Sequence, residues 1–590
     1  MKQAPLFSPS TSWSPPDSLP NLSEAKRIAV DLETKDPTLR ERGPGWATGD
    51  GHITGIAVAT DTWSGYLPIG HQGGGNLDKG FILNWLRPLM SSSADKVFHN
   101  ALYDVGWLKR EGIDVKGKIH DTMIAAPLID EHRRNYSLNQ LGLDYCKEQK
   151  DETLLKEAAE AWQIDAKAEM YMLPASYVGE YAEQDAVLTL KLWDKLSAEL
   201  EHQNLSPIYE LESSLLPLLI EMRWKGVRVD TLKAEESAKE LKIKEKECID
   251  EIKRKWGIVV DIWAAASVAK AFDKAGLTYP RTEKTRAPSF RGASLEQLDH
   301  ELPKLVVQAR KYNKIHSTFI EGMILDHSKN GRIHGQMHPL RGDNVGTVSG
   351  RFSYSTPNLQ QVPARDPVLG PLVRGLFLPE EGAAWGAFDY SQQEPRLTVH
   401  YAHQLNLRGA EEALREYAED DADFHQIVAD MAGISRKDAK IINLGLSYGM
   451  GKDKLLQQLG INDLEAEALF NNYHSRVPFI KELTQTCSRR AENIGHIKTL
   501  LGRRCRFNMF EPRGEKASPL PLEEAMEEYG SNLRRAYTYR ASNRLIQGSA
   551  ADMTKKAMLD LWNEGIVPHI QVHDELDISV SSFQETRRIV

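Results

Sequence analysis

Ala387-Phe-Asp-Tyr-Ser-Gln-Gln-Glu-Pro-Arg396 places Asp389 directly after apolar residues, at the end of a predicted strand. Far along the chain, Gln571-Val-His-Asp-Glu575 does the same for Asp574. Two strands that each deliver a carboxylate at their end can hold two magnesium ions between them. Pro395 suits a helix start, where its missing N–H has no intrahelical partner to lose. From Gly331 onward the chain alternates short strands, turns and helices, the setting such a pair needs.

Arg436, Lys440, Leu444 and Tyr448 lie four apart between those carboxylates. On a helix they form one slowly drifting stripe. Cations at i, i+4 repel each other, which suggests that an anion sits against them, although a solvated face reads the same way from spacing alone.

The first part of the chain has a second acidic set. Asp31 and Glu33 close a strand predicted from Arg27, and alternation puts both on one face. Asn100 to Asp104 and Tyr181 to Asp185 repeat an i, i+4 helical spacing, so four carboxylates can converge. An alternating pair through Ile53 to Ile69 and a strand at Lys96 to His99 complete a mixed α/β pattern of sheet flanked by helices. Helices are predicted over Ser176 to Glu201, Glu210 to Lys225 (closed by Gly226) and Thr231 to Trp256, the last long and largely solvated.

A chain of 590 residues is too long for one core, so at least two domains are expected. No apolar run approaches the roughly 18 residues of a membrane span. The Ser/Pro-rich start to about residue 22 lacks a signal-peptide pattern and reads as a flexible tail. Four dispersed cysteines argue against a zinc site or disulfide framework and for a reducing, cytoplasmic setting. The net charge of -9 weighs against a nucleic-acid partner, yet basic clusters at Arg310/Lys311/Lys314, Arg503/Arg504/Arg506 and Arg534/Arg535 leave room for a basic cleft.

The ordered set Asp31, Glu33, Asp104, Tyr181 and Asp185 resembles the DEDD-type 3′→5′ exonucleases with a tyrosine in the third motif. The resemblance implies an RNase H-like domain in which Asp31, Glu33, Asp104 and Asp185 hold two divalent ions and Tyr181 orients the attacking water. The region from Gly331 to Glu575 resembles family A (bacterial polymerase I-like) DNA polymerases. Gly331-Arg-Ile-His334, Ser349-Gly-Arg-Phe-Ser353 and Pro357 to Pro363 look like its template and primer segment. Ala387 to Arg396 looks like motif A, Arg436 to Gly449 like motif B, and Gln571 to Glu575 like motif C.

Carried over position by position, the resemblance implies a palm/fingers/thumb right hand that adds dNTPs to a primer on template DNA. Asp389, Tyr390 (through its carbonyl) and Asp574 are its implied ligands for two Mg²⁺, with Mn²⁺ as an alternative. Arg436 and Lys440 are implied at the nucleotide triphosphate, Lys440 also as general acid. Leu444, Tyr448, Gln393 and the steric-gate Glu394 border the nucleotide. Arg351, Arg396, Asn543, Gln547 and His573 are implied DNA contacts.

The expected division is an exonuclease domain over 23–205 and a polymerase domain over 206–590, with thumb to about 335, palm at about 336–400 and 540–590, and fingers at about 401–539. Departures from the family pattern include Gln393 and Pro395 in motif A, Leu444 where an aromatic is usual, and an acidic, Pro-bearing insert between Phe507 and Tyr537. Only Leu576 to Val590 follow Glu575, so a palm strand without its neighbour is expected, along with a missing C-terminal piece supplied by a second polypeptide or lost by truncation. A single-subunit RNA polymerase and a nuclease with a DNA-binding tail are the rival readings. Glu394 and intact Asp389, Lys440 and Asp574 disfavour them.

Overall fold

Ile28, Ala29 and Val30 are fully buried because the strand that carries them, β1 (Arg27–Lys35), runs through the middle of a five-stranded sheet. In the computed structural model, which describes residues 9–282, 284–363, 366–418, 423–447 and 461–589, β1 pairs antiparallel with β2 (His52–Ala59) and parallel with β4 (Asp95–Phe98). β3 (Ser64–Pro68) and β5 (Ile119–Asp121) form the two edges. Helix α1 (Ala101–Arg110) follows β4, and α2 (Gly179–His202) packs across β1, β2 and β3.

The helix predicted from Glu210 to Lys225 is in fact two, α3 (Ser206–Ser214) and α4 (Leu216–Lys225). Pro217 explains the break: it has no N–H to give to an incoming helix and is tolerated only in a first turn. Both helices contribute to the core around β1 through Ile208, Leu211, Leu216 and Ile220, while Leu215, Leu218 and Leu219 belong to the next core. Helix α5 (Thr231–Trp256) is capped by Asp230, which accepts from Lys233 N at 3.0 Å, and most of its surface is solvated as its composition predicts.

β6 (Ala384–Asp389) begins the catalytic sheet of the second half and leads into α6 (Gln393–Gln404), α7 (Arg436–Ser447) and α8 (Pro478–Ile494). The Phe507–Tyr537 insert folds into β7 (Met509–Pro512), β8 (Leu520–Pro521), the acidic helix α9 (Leu522–Tyr529) and β9 (Leu533–Arg535), with β7 central. Helix α10 (Ala541–Asn563) then runs to a hairpin, β10 (Ile570–Val572) and β11 (Glu575–Val580). The catalytic sheet has the order β6-β11-β10, so β11 is paired along both edges, while β6 and β10 each have one partner in the sheet. Among the described residues, no helix is long and apolar enough to cross a membrane.

Two buried ion networks tie distant parts of the chain together. Glu212 of α3 accepts from Arg503 at 2.5 Å and Lys555 at 2.6 Å, and Arg503 also reaches Asp552 of α10 at 2.8 Å. Gly350, at φ +83°, makes this possible, since a Cβ there would stand 2.5 Å from the Arg503 guanidinium. Burial and the neighbouring Arg503 pull the Lys555 ammonium down to about 8 against the attraction of Glu212. In the second network Arg506 pairs with Glu131 at 2.7 Å and donates to Gln203 at 2.5 Å, docking the first domain on the turn after α8. Removing one partner from a buried network strands the others without a counter-charge. Glu212→Ala is therefore expected to cost about 3–5 kcal/mol, read as a lower denaturant midpoint, with Glu212→Gln losing less; an unchanged midpoint in the alanine variant would show that the network carries no stability.

Candidate active sites

The first site grows from β1. Alternation along that strand presents Asp31 and Glu33 together, and α2 brings Asp185 to them, so that one carboxylate oxygen of each lies within 4.8 Å of the others. Asp104 stands in the first turn of α1, buried, where it accepts from Leu32 N at 3.2 Å, and its charge couples to Asp31 and Glu33. Asp121 at the end of β5 fixes the start of α1 by accepting from Asn100 N at 2.9 Å and Ala101 N at 2.8 Å. Thus all four predicted carboxylates converge, three in one tight cluster and Asp104 beside it.

Burial and mutual repulsion govern their protonation. Burial, then Asp185, pushes Asp31 up to about 7. Glu33 and Asp104 are driven well above the usual carboxylate range by burial first and Asp31 next. Lys150, which no spacing in the sequence singles out, lies 2.7 Å from Asp185 and donates to the Tyr181 hydroxyl at 3.0 Å. One lysine cannot balance four carboxylates, and a set of hard oxygen donors with excess negative charge fits divalent Mg²⁺ or Mn²⁺.

Cation binding to such a site must displace protons. The folded pKa of Asp31 exceeds that of the unfolded chain, so without metal the folded state binds more protons between about pH 4 and 7 and loses stability as pH rises through that window. The gain in melting temperature on adding Mg²⁺ is therefore expected to be larger at pH 8 than at pH 5.5, measured in an Asp389→Asn, Asp574→Asn background. Equal gains at both pH values would contradict this.

The second site lies at the end of the catalytic sheet. Asp389 ends β6 opposite Glu575 in register, and Asp574 lies in the turn between β10 and β11, its carbonyl accepting from Tyr390 N at 3.4 Å. Burial first, then Asp574 and Glu575, raises Asp389 above its ordinary range. Gln571 braces this turn: it donates to the His573 carbonyl at 2.6 Å and accepts from Gln360 at 3.1 Å, while its own N–H donates to Tyr354. His573 is exposed at φ +57° at the tip.

A cavity of about 70 Å³ joins α6, α7 and α10, lined by Glu394, Phe424, His425, Asn443, Leu483 and Asn543. Glu394 pairs with Arg351. Its pKa is nonetheless raised, by burial first, with Asp574 adding to the effect and Arg351 opposing it. Arg436 and Lys440 stand exposed on α7, and Arg436 already holds an anion, Asp423, at 2.6 Å. The α7 backbone includes Leu444, whose side chain, like all of Tyr448 and Gly449, lies outside the described residues.

One expected contact is placed elsewhere. Gln393 is buried and donates to Ala550 O at 3.2 Å and Thr554 Oγ1 at 3.3 Å, so it fastens α6 to α10 and does not line the cavity. Arg396 is half-buried, lies over the Tyr417 ring at 4.9 Å and donates to Ser391 O, bracing the turn after β6. Gln547 is half-buried one turn beyond Asn543 on α10. His425 and Asn443, hydrogen-bonded to each other at 3.2 Å, line the cavity without having been singled out in the sequence, because neither falls on the cationic stripe.

Comparison with known proteins adds the following. Residues 231–589 match the family described as DNA polymerase family A, and residues 10–201 match 3′-5′ exonuclease. A "DNA-directed DNA polymerase" of Pseudomonas phage M6 is 38% identical, over 99% of this chain and 93% of its own length. A "DNA polymerase DpoZ" of Acinetobacter phage SH-Ab 15497 is 30% identical over 95% of this chain and 92% of its own. Among solved structures, the POL domain of Pol1 from M. smegmatis, in complex with DNA primer-template and dNTP, shares the fold at a TM-score of 0.74 and 23% identity, covering 96% of this chain and 91% of that one.

Proposed function

The chain belongs to DNA polymerase family A and carries a 3′-5′ exonuclease domain, and from that premise we propose which residues perform each activity. It is a template-directed DNA polymerase with a proofreading nuclease. The observation that carries the assignment of the synthetic site is the meeting of Asp389 and Asp574 at one end of a three-stranded sheet.

Asp389, Asp574 and the Tyr390 carbonyl would hold two Mg²⁺ ions, which when bound supply Lewis acidity at the primer 3′-hydroxyl and take up charge on the leaving pyrophosphate. Arg436 and Lys440 would meet the triphosphate as cations, and Lys440 would return a proton to the pyrophosphate. For Arg436 this means exchanging Asp423 for phosphate oxygens. Glu394 lies under the sugar, where its bulk and its pairing with Arg351 leave no space for a ribose 2′-hydroxyl. Asn543, Gln547, Arg351 and His573 flank the primer–template end. At the other site, Asp31, Glu33, Asp104 and Asp185 would hold the ions of the exonuclease, with Tyr181 positioning water and Lys150 fixing Tyr181 and Asp185. The phage M6 relative aligns as a single chain over 93% of its length, which lends no support to a second polypeptide completing the palm.

Primer extension with dNTPs and with rNTPs tests the synthetic reading. The parent should extend with dNTPs only. Glu394→Ala should raise incorporation of rNTPs relative to dNTPs by about a hundredfold or more, the scale on which a shaped site rejects an added group. Failure to extend with dNTPs and divalent metal would overturn the assignment.

A further inference from the structure

The Ser/Pro-rich start of the chain supplies no group to either site, yet from residue 9 it runs as a strap over the first domain. Leu22 is buried in the core around β1, Trp85 Nε1 donates to Pro20 O at 3.0 Å, and Pro16 lies against Gly65 of β3. The far end of the strap rests on the start of α2. There Thr11 Oγ1 donates to Ser176 O at 3.2 Å and accepts from Trp13 N at 3.2 Å, which holds the turn leading into the helix. The Trp13 indole covers Gly179, the first residue of α2, so closely that a Cβ on that glycine would stand 2.1 Å from a ring carbon. Behind the indole is the fully buried Tyr66 ring, 6.0 Å away, whose hydroxyl is braced by His71 Nε2 at 2.6 Å. Trp13 is thus packed between a fixed ring and the backbone of a helix.

We propose that Trp13 is a positioning residue for the exonuclease: by filling the notch at Gly179 it holds the first turn of α2, so that Tyr181 and Asp185 keep their places beside Asp31 and Glu33. Tyr181 and Asp185 share one face of α2 at i, i+4 spacing, and both lie within two turns of Gly179. The start of this helix is weakly secured by its own sequence. Val178 at the N-cap makes no side-chain hydrogen bond, and the first-turn N–H groups of a helix have no intrahelical partners. The buried stripe that continues from Gly179 is Ala182 and Ala186, small residues that let α2 approach the sheet closely but give its first turn no large side chain to anchor it. An aromatic ring from outside the helix supplies that anchor, and rigid rings fill such a gap at little cost in side-chain entropy. Trp13 and Tyr181 both pack on the cluster formed by Val178, Ala182 and Ala186, so a shift of one is felt by the other. The inference rests on the exonuclease reading and deepens it.

The test combines nuclease kinetics on single-stranded DNA, primer extension and amide hydrogen exchange, all on the full chain well below its melting temperature. Trp13→Ala should lower the nuclease kcat by about a hundredfold, the scale on which an ångström of misplacement acts, with KM and primer extension unchanged. Its amide exchange should quicken over residues 176–186 and nowhere else. Trp13→Phe, which keeps a ring in the notch, should stay close to the parent in every readout. Gly179→Ala probes the same contact from the other side: it should slow the nuclease in the parent and cost little more in the Trp13→Ala background, because changes that share one gap do not add. A Trp13→Ala chain with parental kcat would overturn the proposal. So would exchange that quickens evenly over residues 23–205, which would make Trp13 a general prop of the domain. A parent without nuclease activity, in which Trp13→Ala still loosens only the start of α2, would sink the exonuclease assignment and not the hold of the strap on the helix.

Discussion

Asp389→Ala and Asp574→Ala should each lower DNA synthesis by at least about a thousandfold, equivalent to about 4 kcal/mol of transition-state stabilisation, while leaving 3′→5′ nuclease activity at the parental level. The two side chains arrive from different parts of the sequence, one at the end of β6 and the other in the β10–β11 turn, and each supplies ligands that the other cannot reach. Neither loss should come from misfolding. Asp389 is exposed in the cleft and its protonation is raised partly by Asp574 and Glu575, so alanine there removes a repulsion and strands no buried partner. Melting temperature should hold or rise slightly. A folded variant that keeps synthesis would remove Asp389 or Asp574 from the site, and one that loses both activities would refute two independent centres.

How much of this was legible in the sequence depended on whether the chemistry sits on a regular element. Asp31 and Glu33 could be placed on one face from strand alternation, and the long helix α5 from its unbroken Lys/Glu spacing, because period and side-chain direction are fixed by backbone geometry. Asp389 and Asp574 were legible as strand-end carboxylates. Gln393 was misplaced for a definite reason: adjacent helix residues point about 100° apart, so when Glu394 faces the cavity its neighbour must turn into α10. Lys150 was invisible because it comes from a loop, where no period assigns a direction, yet it is the cation nearest Asp185 and Tyr181. The Glu131–Arg506 and Glu212–Arg503 pairs join residues about 300 or more apart in sequence, a coupling that no local pattern encodes. The insert read only as acidic and Pro-bearing, and its small sheet became visible once β7 paired with β8 and β9.

The double variant Asp31→Ala, Glu33→Ala should do the reverse of the palm variants, cutting nuclease activity by at least about a thousandfold with primer extension retained. It carries a second expectation that a merely inactivating change would not. In the metal-free parent these carboxylates repel one another and Asp185, so their ionisation opposes folding: Asp31 titrates near 7 in the folded chain and in the ordinary carboxylate range when unfolded. That cost is fully present above the folded pKa, fades as pH falls, and is gone below the unfolded pKa. Removing both groups should therefore make the first domain more stable than the parent at pH 8 in chelator, with the advantage shrinking toward pH 5. Lys150 would then keep Asp185 as its partner at 2.7 Å, so no buried charge is left alone. Adding Mg²⁺ should narrow the difference at pH 8, because only the parent retains the ligands to bind it. Thermal melts of parent and double variant at pH 5 and 8, each with chelator and with Mg²⁺, read all of these at once. A double variant less stable than the parent at pH 8 without metal would mean that Asp31 and Glu33 hold the sheet together, and that their crowding is not the price of binding metal.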